Sequence, residues 1–79
     1  MPSRAEEITT VRVALYLARR GDCHPDDVLR AGQRFASAPQ ILRSIEALID
    51  ARLVHRETPM FATSDAGERL HWRGPRVTP

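Results

Sequence analysis

The sequence predicts a mainly α domain with a small β-hairpin: three helices followed by two short strands. Three observations predict it. Helix-start signals recur at Ser3, at His24-Pro25 and at Ser37. Aromatic residues are only 5% of the 79-residue chain, so the core must come from Ile, Leu, Val and Ala, which favours helix-on-helix packing over a β-sandwich. After Ala51 the helical periodicity gives way to short extended runs around Thr58-Pro59.

The first helix is expected to start at Ser3-Arg4-Ala5-Glu6, a capping box, and to run to about Arg20 with Gly21 just past its end. Glu6 and Glu7 suit the positive end of its dipole, Arg19 and Arg20 the negative end. Ile8, Val11, Ala14, Leu15 and Ala18 share one face, while Val13 and Leu17 lie roughly opposite. Two apolar sides mean a helix that is central in the domain or used for self-association.

In His24-Pro25-Asp26-Asp27 the proline suits a first helical position and the aspartates a first turn. Val28, Leu29 and Ala31 supply a buried side, Gly32 ends the helix, and Phe35 in the following turn is expected to plug the core. Cys23 reads as a small buried residue at the start of this helix or in a short strand.

The third helix begins at Ser37-Ala38-Pro39-Gln40, a second capping box. Ile41, Leu42, Ile45, Leu48 and Ile49 form its apolar stripe; Gln40, Arg43, Ala47 and Asp50 point away. Continuation would bury Arg52, so the helix must stop near Ala51. Leu53–Glu57 and Met60–Thr63 then read as a tight hairpin, and Ser64–Leu70 as a further turn or two of helix. Residues 1–72 are expected as one domain and 73–79 as a disordered tail.

Composition excludes several classes. Hydrophobic residues make up 42%, a globular value. The apolar run Val13–Ala18 is far too short to span a bilayer, and the charged start lacks the apolar stretch of a signal peptide. A single cysteine allows no intrachain disulfide and suits a reducing cytoplasm. So small a core leaves little room for a catalytic cleft, so no enzyme and no catalytic residue is expected. Cys23-His24, His55 and His71 lack zinc-finger spacing, and no metal or other cofactor is expected. All twelve basic residues are arginine. A GC-rich genome accounts for that, and so does selection for bidentate contact with phosphate, guanine or carboxylate.

Segment 37–57, Ser-Ala-Pro-Gln-Ile-Leu-Arg-Ser-Ile-Glu-Ala-Leu-Ile-Asp-Ala-Arg-Leu-Val-His-Arg-Glu, resembles the recognition helix and first wing strand of MarR-, PadR- and ArsR-type bacterial regulators. Segment 61–70 resembles the strand after the wing, with Phe61, Ser64 and Gly67 in the usual Tyr, Thr and Gly places. The resemblance covers about residues 5–70. It implies a winged helix-turn-helix, a three-helix core plus a short wing, acting as a DNA-binding transcriptional regulator. Arg52 stands where the family usually has glycine, Thr63 where a buried leucine is usual, and the short wing tip carries no basic residue.

On that reading Gln40, Arg43, Ser44 and Ala47 of the third helix face double-stranded DNA. Arginine can pair with guanine, glutamine with adenine, and alanine can touch a thymine methyl. Arg34, His55 and Arg56 are the candidate phosphate contacts. The net charge of +2 gives weak support. Residues 1–21 carry four Arg against two Glu, whereas residues 37–57 carry three of each sign. Asp26 and Asp27 oppose a phosphate at the second helix unless they serve only as caps. A homodimer is expected, since such proteins usually bind two half-sites. Its candidate interface is Val13, Tyr16, Leu17 and Trp72; alternatively Val13 and Leu17 pack on the chain's own Leu70 and Trp72. The leading expectation is a small cytoplasmic DNA-binding regulator of bacterial, phage or plasmid origin. The alternative is a winged-helix protein-interaction module, such as a phage or plasmid protein that inhibits a host protein complex.

Overall fold

In the computed structural model, which describes residues 3–58 and 67–75, helix α1 spans Arg4–Arg20. The Ser3 hydroxyl accepts the Glu6 N–H at 3.2 Å, and the helix stops at Gly21, whose φ of 77° is a left-handed value that favours glycine. The chain then forms a two-residue strand, β1 (Asp22–Cys23), and helix α2 (Pro25–Gly32). His24 caps α2: its Nδ1 accepts the Asp26 N–H at 3.0 Å, and the Asp27 carboxylate accepts the His24 N–H at 3.2 Å. Asp27 is therefore a capping residue. At Gly32 a Cβ would come within 2.5 Å of the Ile41 side chain, so glycine permits the close approach of α2 to the next helix.

That helix, α3 (Ala38–Asp50), begins with the expected capping box of Ser37 and Gln40. It ends in a Schellman motif. Leu53 N–H donates to Leu48 C=O and Arg52 N–H to Ile49 C=O, both at 3.0 Å, while Arg52 takes a φ of 63°. A non-glycine residue in this conformation costs about 1–2 kcal/mol. Arg52→Gly is therefore expected to raise stability by about 1 kcal/mol, less the extra backbone entropy that glycine brings to the unfolded chain, read as a shift in the urea midpoint.

Strands β2 (Val54–Glu57) and β3 (Arg69–Trp72) complete a three-stranded antiparallel sheet in the order β1-β3-β2. Asp22, His71 and His55 lie side by side across it, as do Cys23, Leu70 and Arg56. The partner of β2 is thus Arg69–Trp72, and the expected strand Met60–Thr63 lies outside the described residues. Arg69 and Leu70, expected in a helical turn, are strand residues. The alternation decides this, because Leu70 points into the core while His71 lies on the opposite face between Asp22 and Glu57. Arg73 N–H donates to Leu53 C=O at 2.8 Å, and the Trp72 indole N–H to Pro75 C=O at 2.9 Å.

Val13, Leu17, Cys23, Val28, Ile41, Ile45, Leu48, Val54 and Leu70 form the core. The helix α1 is turned the opposite way from what its larger apolar face suggests. Val13 and Leu17 are 1% and 0% exposed, whereas Val11 is 58% exposed and Ile8 and Leu15 are also open. Thr9 joins the buried side because its hydroxyl donates to Ala5 C=O at 2.9 Å and needs no other partner. Phe35, expected as a core plug, is 38% exposed, and Leu42 of the expected stripe is exposed as well.

Cys23 is buried, and its thiol is pushed above the ordinary 9.0, first by burial and then by the Asp27 carboxylate. The native thiol is expected to resist an aromatic disulfide reagent at pH 8 and to react only on unfolding. The unfolded chain ionises this thiol at lower pH than the fold does, so stability should fall as pH rises above about 9. Rapid labelling of the native chain is the contrary result.

Candidate nucleic-acid interface

The outward side of α3 is built by its two caps and its stripe. With Ile41, Ser44, Ile45 and Leu48 turned inward, the exposed positions are Pro39, Leu42, Arg43, Glu46, Ala47 and Asp50. The buried stripe is rotated from the expected one, with Ser44 in the place of Leu42.

Of the residues expected to face DNA, Arg43 and Ala47 are one turn apart and open to solvent. The Arg43 side chain is 68% exposed, and its nearest carboxylate, Glu6, is 3.9 Å away. That pair is long and solvated, so it leaves the guanidinium free to exchange partners. Ser44 is not available. It is 4% exposed and its Oγ lies 3.1 Å from Thr10 Oγ1 of α1, so it joins two helices instead of facing outward. Gln40 is half-buried, and its Oε1 accepts from Ser37 N–H at 2.9 Å and from the Ser37 hydroxyl at 3.1 Å. Bidentate pairing with adenine needs that oxygen, so Gln40 must leave the cap to make it.

The expected phosphate contacts also divide. Arg34, in the turn between α2 and α3, is exposed and so is His55. Arg56 lies on the inner side of β2, with Nη1 3.0 Å from Glu46 and Nε 3.4 Å from Glu68. Two carboxylates hold it, so it ties the sheet to α3 and is not a free cation for phosphate. On the outer face of the sheet His71 Nε2 lies 2.7 Å from the Glu57 carboxylate, and the His55 and His71 rings stack at 6.3 Å.

The expected dimer set is corrected in the same way. Val13 and Leu17 are core residues, the alternative in which they pack on the chain's own C-terminal segment. Tyr16 and Trp72 are half-buried. Among the described residues no helix is long and apolar enough to cross a membrane.

Comparison with protein-family models, with curated proteins and with solved structures finds no match to this chain. The site therefore rests on its own geometry. Thr10 and Glu68, which decide what Ser44 and Arg56 can do, carry no sequence signal for it. Thr10 and Ser44 are 34 positions apart, and no local spacing relates them.

Proposed function

We propose that the chain is a small winged helix-turn-helix domain that binds double-stranded DNA through α3 and acts as a transcriptional regulator. The observation that carries this reading is the element order α1-β1-α2-α3-β2-β3 with β3 between the other two strands, in which no other described residue covers the outward side of α3 with Arg43 and Ala47 upon it. In this reading Arg43 meets a guanine edge, Ala47 approaches a base edge, and Arg34 and His55 lie along the phosphates. Two described arginines near the groove make a modest electrostatic term. Binding to random duplex DNA should weaken with a slope of log K on log salt of about −2 per chain, far below that of a protein with eight or ten phosphate contacts. Fluorescence anisotropy across a salt series checks this. No salt-dependent binding at low salt would sink the reading.

A protein-interaction module on the same scaffold is the second reading. It is favoured by the loss of Ser44 and Arg56 from the DNA-facing set and by Glu46 and Asp50 on the exposed side of α3.

A further inference from the structure

Leu15, one of the exposed apolar residues of α1, borders a groove of about 270 Å³ between α1 and α2. Its floor is Val13, Val28, Ala31 and Gly32, and Leu15, Tyr16 and Phe35 wall it. Arg12 and Phe35 continue it into a second depression beside Ile8 and Ala5, and Tyr16 and Ala31 into a third beside Arg20, Arg30 and Arg34. The strip follows α1 from Ala5 to Arg19, about 20 Å at 1.5 Å per residue.

Arg12, Arg19, Arg20, Arg30 and Arg34 line this strip, with Asp27 the one carboxylate among its lining residues. Among the described residues none of the five is in an ion pair, whereas Arg43, Arg56 and Arg69 are. Arg4, Arg52 and Arg73 are also outside any ion pair, so five of the eight unpaired arginines among the described residues gather around this apolar groove. Sequence holds a trace of this: residues 8–21 contain three arginines and no acid.

We propose that this strip docks an acidic amphipathic helix of a partner protein, about four turns long. Its apolar stripe would lie on the floor and its flanking Asp or Glu side chains would meet the arginines. Duplex DNA has no use for an apolar floor. Single-stranded nucleic acid needs open ring faces for stacking, and here a guanidinium covers each ring: Arg12 lies 5.1 Å from the Phe35 centroid and Arg20 5.6 Å from that of Tyr16.

The test uses the full chain and a synthetic, fluorescein-labelled 14-residue peptide with Leu at helical i, i+3 and i+7 spacing and Glu on both flanks. Anisotropy should show saturable binding, weakened at least tenfold when Gln replaces Glu in the peptide. Arg19→Glu with Arg30→Glu should weaken it at least tenfold too, and the same variant should gain binding to a Lys-flanked peptide. Both sites are exposed, and an unchanged melting temperature keeps folding out of the comparison. The double variant should retain duplex DNA binding that depends on Arg43, which separates this proposal from the DNA reading. No peptide binding, indifference to the charge swap, or tighter binding of a dT15 oligonucleotide would each overturn it. So would sedimentation as a dimer that Leu15→Glu converts to monomer, since a second copy would then fill the groove.

Discussion

Leu17→Ala is expected to cost about 2–5 kcal/mol of unfolding free energy. Leu17 is fully buried in the core with Val13 and Leu70, so truncation removes apolar contact on all sides and leaves a void. A domain of this size has on the order of 4–12 kcal/mol in total, so the variant should unfold at much lower urea and in part without it. Val11→Ala should change stability by no more than about 0.5 kcal/mol, because the Val11 side chain already meets water. Paired urea titrations read both. The reverse order of effects would mean that α1 presents its larger apolar face to the core.

Arg43→Ala is expected to weaken duplex DNA binding by about tenfold to a hundredfold, the loss of one bidentate base contact at about 1–3 kcal/mol, with little change in stability. The exposure of the side chain and its long distance from Glu6 are the grounds for both halves. Ser44→Ala is the matched control, with the opposite expectation. It removes a hydroxyl buried against Thr10, so it should cost about 0.5–1.5 kcal/mol of stability and leave the DNA affinity of the folded chain unchanged. Anisotropy and urea titration on both variants give four numbers. DNA binding that survives Arg43→Ala would remove α3 as the reader.

The division between those two neighbours shows how much of the site was legible. Arg43 and Ala47 follow from the capping box at Ser37 and the helical period, which are local. The burial of Ser44 follows from where α1 crosses α3, which is not. Gln40 shows the same conflict within one residue, since the amide that suits adenine also closes the cap. Arg56 looks like a wing-base cation until Glu46 at 3.0 Å, and Glu68 at 3.4 Å from beyond the end of β2, pair with it.

The helix boundaries are local properties of the chain, because caps and stops act within a few residues: Ser3 and Ser37 begin helices, Gly21 follows one, and Arg52 takes the left-handed turn at the end of α3. That β-structure follows α3 is legible in the same local way. Which face of α1 is buried, which segment pairs with β2, and where most of the unpaired arginines gather are settled by the packed fold. Those outcomes depend on contacts between distant segments. A helix with two apolar sides satisfies its own periodicity either way, and only the sheet and α3 packed against Val13 and Leu17 make one way lower in free energy.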